Sequence, residues 1–178
     1  MTNNGIYYEY SVSAFIAARG TPSPIEGSSG GHIWLGLEDY TNGYNIEYYG
    51  FNSGEHRVVG KGAIVTNDNE TYLYSAHKIK FPITQEQYSK INEFIYQASI
   101  LNSKGKVFGG YDIATNSCVD FVFTALRAAG IGAERGYITQ DGRMIPMSNI
   151  PGLEEIHQHF LNEQGYKDAK TQYWERGA

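Results

Sequence analysis

As far as Pro82 the chain is written in strand-forming runs punctuated by glycine, proline and asparagine, and helical spacing begins only afterwards. Strands first and helices later point to an α+β fold with an antiparallel sheet, since parallel strands would need a helical crossover between them. Residues 6–18, rich in Tyr, Val, Phe and Ile, form the first expected strand, and Gly20-Thr21-Pro22-Ser23-Pro24 ends it. The glycine-rich Gly27-Ser28-Ser29-Gly30-Gly31 leads into a second strand at His32-Ile33-Trp34-Leu35-Gly36-Leu37-Glu38. Asn42-Gly43 is a strong hairpin signal, and residues 44–51 are the expected return strand. A two-residue turn there pairs Glu38 with Glu47, Gly36 with Tyr49, Trp34 with Phe51 and His32 with Ser53. That register puts His32 on the face of Tyr49, Phe51 and Ser53. Residues 58–65 and 71–81 read as further strands, separated by a turn at Asn67-Asp68-Asn69.

Two main helices are expected to pack on this sheet. Thr84 and Gln87 have capping-box spacing, and Tyr88, Ile91, Phe94, Ile95 and Ala98 then recur at helical intervals up to about Leu101. A second helix opens at Asn116 or Ser117, carries Val119, Val122, Phe123 and Leu126 as its apolar stripe, and stops at Gly130. Pro151 opens a shorter helix through Phe160. With 178 residues the chain fits a single domain, its core at about 6–132 and a C-terminal extension at 133–178.

Composition excludes several classes of function. A net charge of −5, with scattered Lys and Arg, argues against nucleic acid as the main partner. No apolar run approaches the roughly 20 residues of a membrane helix, so no stable membrane insertion is expected. Residues 1–9 show neither the basic nor the apolar region of a Sec-type signal, so export would need other machinery or an address supplied by a longer parent. The sequence carries no His-Glu-x-x-His zinc site, no P-loop and no paired Cys-x-x-Cys, so the expected chemistry needs no metal and no cofactor.

Cys118 is the single cysteine, and any role it has is that of a free thiol. A lone cysteine is far more often a small buried hydrophobe than a nucleophile. Its position in Asn116-Ser117-Cys118-Val119-Asp120-Phe121 shifts those odds. The first turn of a helix offers unpaired N–H groups and the positive end of the dipole, which favour a thiolate and can also meet a developing oxyanion. Asp120, three residues after Ser117, reads at least as well as a helix-start charge or capping partner as it does as a catalytic residue. Among the histidines, His157 and His159 point to different faces of their helix, and His56 and His77 have unremarkable surroundings. His32 stands apart because Gly30-Gly31 leave backbone space directly before it and apolar neighbours follow.

Gly31-His32-Ile33-Trp34-Leu35, followed downstream by Asn116-Ser117-Cys118-Val119-Asp120-Phe121, resembles the circularly permuted NlpC/P60 and lecithin:retinol-acyltransferase-like branch of the papain-like superfamily, in which the histidine strand precedes the cysteine helix. Tyr48-Tyr49-Gly50-Phe51 and Gly130-Ile131 are also similar to cysteine-hydrolase effector domains of bacterial type VI secretion systems and polymorphic toxins. The resemblance spans about residues 30–131. It implies that Cys118 attacks an amide or ester carbonyl, that His32 is its base, and that a third polar residue orients His32. The family's usual spacing for that residue falls near Tyr44-Asn45, close to the expected turn, so Asn52, Ser53 and Glu47 rank ahead of Asn45.

The resemblance further implies an amidase or peptidase acting on peptidoglycan stem peptides. It would be made in the bacterial cytoplasm and delivered to the periplasm of a target cell, with an immunity protein and a secretion-system carrier as partners. Two other readings stay open: an acyltransferase, thioesterase or deamidase acting on lipid or protein, and a Tyr-rich module that binds cell wall or protein without catalysis.

Overall fold

The computed structural model describes residues 8–21, 30–53, 59–72, 77–103, 110–112, 116–132 and 146–164. Along the chain run β1 (Tyr10–Ala17), β2 (His32–Asp39), β3 (Asn45–Asn52), β4 (Val59–Gly60), β5 (Ala63–Val65), α1 (Asp68–Thr71), β6 (His77–Ile83), α2 (Gln85–Ser103), β7 (Tyr111–Asp112), α3 (Cys118–Ala128) and α4 (Ile150–Glu163). A 3-10 turn at Pro146–Asn149 leads into α4. Five strands form one antiparallel sheet in the order β5-β3-β2-β1-β6, and β4 pairs with β7 in a separate two-stranded ribbon. The fold class is the α+β arrangement expected from the order of the runs.

One sheet face carries Val12, Ala14 and Ile16 from β1, Ile33, Leu35 and Leu37 from β2, and Ile79, Phe81 and Ile83 from β6, all buried. These side chains form one core with Ile91 and Ile95 of α2, Val119 and Val122 of α3, and Leu153 and Ile156 of α4. Phe121 ties three elements together, with Phe51 of β3 at 6.1 Å and Phe94 of α2 at 5.5 Å between ring centroids. Burying such a ring stabilises the fold by about 1.5–3 kcal/mol relative to leaving it in water. α4, within the C-terminal extension, belongs to the same core: Phe160 meets Phe81 edge-on at 5.8 Å.

The helix ends follow local chemistry. Thr84 and Gln87 exchange hydrogen bonds at the start of α2, at 3.0 and 3.2 Å. α3 ends where the Gly130 N–H donates to the Arg127 carbonyl and the Ile131 N–H to that of Leu126, a bond pair that closes the last turn.

Three expectations are corrected. The hairpin register is shifted by one residue: Trp34 pairs with Gly50, Gly36 with Tyr48 and Glu38 with Ile46. The connection occupies residues 40–44, because the Asp39 carboxylate accepts from the Thr41 N–H at 2.8 Å and its hydroxyl at 2.6 Å and turns the chain before Asn42-Gly43. A one-residue shift moves every side chain to the other face, so His32 and Trp34 share theirs with Tyr48 and Gly50 and not with Tyr49 and Phe51. Second, residues 58–65 are not one strand. The chain breaks at Lys61-Gly62, where Gly62 takes a φ of 72°, and only Ala63–Val65 joins the main sheet. Third, the segment at Asn67-Asp68-Asn69 between β5 and β6 is not a simple turn: Asp68–Thr71 form α1, with the Glu70 and Thr71 N–H groups donating to the Asn67 carbonyl, and β6 spans His77–Ile83 rather than residues 71–81.

Candidate active site

α3 begins at Cys118, and Ser117 is its N-cap. The Val119 N–H donates to the Ser117 hydroxyl oxygen at 3.2 Å. Asp120 completes a capping box, its carboxylate accepting from the Ser117 N–H at 2.8 Å and from the hydroxyl at 2.9 Å. Asp120 therefore serves the helix start, the structural alternative of its two sequence readings. Upstream, Asn116 and Asp112 exchange backbone hydrogen bonds at 2.8 and 3.1 Å, which ties the approach to the helix to β7. The Cys118 N–H, first in the helix, has no acceptor within it.

His32 is the first residue of β2, and α3 packs across that strand. Gly31 precedes it with a φ of 84°, and a Cβ there would stand 2.7 Å from the Ala17 carbonyl oxygen. Glycine thus lets the chain enter β2 hard against the end of β1. Both members of the pair lie beneath the surface, Cys118 at 3% and His32 at 5% exposure.

His32 Nε2 donates to Asp68 Oδ2 at 3.0 Å, and both side chains are buried. Burial alone would lower the His32 pKa. Burial is the largest single influence, but the Asp68 charge, the charge of Cys118 and hydrogen bonds to both groups together outweigh it, so that His32 holds its proton well above the usual range. The imidazole is thus bonded to a carboxylate from α1 and interacts with the thiol group at the start of α3.

Gly50 of β3 makes room for the pair of Asp68 and His32. A methyl group on Gly50 would overlap the Asp68 carboxylate oxygen and stand 3.1 Å from His32 Nε2. Tyr72, directly after α1, lays its ring on the imidazole at 4.8 Å and 22° and on Trp34 at 5.4 Å and 22°. Trp34 is itself stacked near His32, at 5.9 Å and 16°, and its buried indole N–H has no hydrogen-bond partner among the described residues.

Sequence reasoning ranked Asn52, Ser53 and Glu47 for the place beside His32. Glu47 is exposed on the opposite sheet face and accepts from the Tyr49 hydroxyl at 2.6 Å. Asn52 ends β3, half-buried, and Ser53 is buried against Gly60. The carboxylate on Nε2 belongs instead to Asp68, hidden because Asn67-Asp68-Asn69 reads as a turn. One signal was available: Asp68 and Glu70 are acidic residues placed for a first helical turn.

Of the remaining histidines, His77 pairs with Glu154 at 3.2 Å and His159 with Glu163 at 3.1 Å. His157 lies against the edge of Phe81 at 5.2 Å. His56 lies outside the described residues. Among the described residues, no three His, Cys, Asp or Glu side chains gather as a metal-ligand set, and no helix is long and apolar enough to cross a membrane.

A thiol at a helix start, an imidazole and a carboxylate in series can carry out nucleophilic acyl transfer. No protein-family model, curated protein or solved structure matches the chain.

Proposed function

We propose that this protein is a cysteine hydrolase of amide bonds, with Cys118 as nucleophile, His32 as acid and base, and Asp68 as the group that orients His32. The observation that carries this reading is the buried imidazole hydrogen-bonded to Asp68 Oδ2 at 3.0 Å, with the Cys118 group at the start of α3 near enough to act on its protonation.

In the first half-reaction the Cys118 thiolate attacks the carbonyl carbon, and the carbonyl π electrons move onto oxygen. In this reading the helix-start N–H of Cys118 is the donor to that oxyanion. As the tetrahedral intermediate collapses, the C–N bond breaks and the His32 imidazolium gives its proton to the departing amine, leaving a thioester on Cys118. Water then attacks the thioester while neutral His32 takes a proton from it, and the acid departs as the Cys118 sulfur is released. Asp68 keeps Nε2 protonated throughout and stabilises the imidazolium, so the other ring nitrogen is the one that exchanges protons. Because both reacting groups are buried, a substrate carbonyl reaches the sulfur only after neighbouring side chains give way.

The substrate class rests on the resemblance of Gly31-His32-Ile33-Trp34-Leu35 and Asn116-Ser117-Cys118-Val119-Asp120-Phe121 to the permuted NlpC/P60-type enzymes. On that footing the substrate is the stem peptide of peptidoglycan, and the protein acts as an antibacterial effector in a target cell's periplasm. The test is incubation of purified sacculi with wild-type protein and with Cys118→Ala, followed by mass spectrometry of the soluble fragments. New amide-cleavage products from the wild type alone are expected; identical fragment spectra for the two would remove peptidoglycan as the substrate.

A further inference from the structure

Resting on the reading of Cys118 and His32 as thiol and base, we propose that Tyr72 is a positioning residue: its ring fixes the plane of the His32 imidazole so that one nitrogen stays on Asp68 and the other faces Cys118. A histidine ring has a broad, roughly two-fold torsion about its Cβ–Cγ bond, and a half turn exchanges nitrogen for carbon at both contact points. Such a rotation would break the Asp68 and Cys118 interactions together. The near-parallel Tyr72 ring, 4.8 Å away and tilted by only 22°, occupies the space through which the imidazole would turn. Trp34 limits the remaining freedom: it is 2% exposed and packs against both rings.

The chain delivers this support together with the carboxylate. The Tyr72 N–H donates to the Asp68 carbonyl at 2.8 Å, which makes the two residues the ends of one helical turn. That turn fits over Gly50, where any side chain would displace the Asp68 carboxylate. One short segment therefore sets both the hydrogen-bond partner of His32 and the face on which its ring lies. The electron-rich ring face also favours the protonated imidazole over the neutral one. The charged groups that act on His32 are Asp68 from α1 and Cys118 from α3, and the Tyr72 ring lies against its face.

Tyr72→Leu removes the ring, and Tyr72→Phe keeps it while deleting the hydroxyl. In Tyr72→Leu we expect kcat to fall about 10- to 100-fold, the scale of a small misplacement of a reacting group, with KM unchanged within about twofold. Tyr72→Phe should stay within about threefold of wild type on the same grounds. Two readouts separate positioning from general destabilisation and need no substrate. One is the NMR titration of His32 in a Cys118→Ala background, which should move to lower pH in Tyr72→Leu and not in Tyr72→Phe. The other is the pH profile of Cys118 alkylation by iodoacetamide, whose alkaline side should move the same way. A folded Tyr72→Leu with the wild-type His32 titration overturns the proposal, as does Tyr72→Phe losing as much as Tyr72→Leu. If Tyr72→Leu loses its circular dichroism signal, Tyr72→Met fills the volume without a ring and is judged by the same outcomes. A wild type that cleaves no amide yet shows these shifts would sink the hydrolase reading and leave Tyr72 in its role.

Discussion

Removing the Asp68 carboxylate isolates the contribution of the bridge. In Asp68→Ala the buried His32 loses the partner that sits 3.0 Å from Nε2, while its burial is largely kept. Breaking a buried charge pair from one side costs about 3–5 kcal/mol. At about 1.4 kcal/mol per tenfold, the same loss expressed in the transition state lowers kcat by roughly 10²- to 10⁴-fold. The pH dependence has a definite sign. Because the His32 pKa is raised in the folded protein, the stability it contributes is fully present below about pH 6.5, the unfolded value, and is lost as pH rises through the raised folded value. In Asp68→Ala burial pulls the His32 pKa down with only Cys118 opposing it, so that alkaline loss of stability should shrink or vanish. Urea unfolding at pH 6 and pH 9, together with turnover at each pH, measures both effects. Gly50→Ala provides an independent check, since its methyl group displaces the Asp68 carboxylate without deleting it and should reproduce the loss of turnover. Wild-type kcat in Asp68→Ala, with an unchanged dependence of stability on pH, would refute the assignment of Asp68 as the orienting group.

Cys118→Ser keeps nearly the same volume but replaces the thiol with a far less acidic hydroxyl; circular dichroism should be unchanged and turnover absent, and wild-type turnover would exclude the thiol mechanism. His32→Ala should lower the rate by roughly 10²- to 10⁴-fold, the usual scale of a general base, whereas His77→Ala, which loses only a partly exposed pair with Glu154, should leave steady-state rates near wild type. Equal losses at both histidines would point to misfolding. Expression in a Gram-negative strain should be harmless in the cytosol and lytic when a signal peptide directs the protein to the periplasm, with Cys118→Ala harmless in both places; toxicity of the cytosolic wild type would indicate a protein or lipid target.

The positions of Cys118 and His32 in their elements were legible because each is announced by its own neighbours. Ser117 and Asp120 are spaced to cap a helix, which fixes Cys118 in its first turn, and a glycine pair before an apolar strand marks His32. The Thr84–Gln87 box and the Gly130 stop are likewise interactions between residues close in the chain. The hairpin register was not legible, although its turn residues were. Asn42-Gly43 signals a two-residue turn, but Asp39 bonds to Thr41 and lengthens the connection, and a change of one residue reverses both faces of the return strand. Asp68 was hidden for a different reason. Nothing local distinguishes a turn carboxylate from one that ends beside an imidazole far away in sequence, and only the docking of α1 over Gly50 brings it there. Tyr72 was misread as strand because aromatic residues favour pleated surfaces, whereas here its ring is used by His32 and Trp34. Local hydrogen bonds and spacing thus determined where Cys118 and His32 sit in their elements; the register of β3 and the seat of α1, both set by contacts distant in sequence, decided what surrounds them.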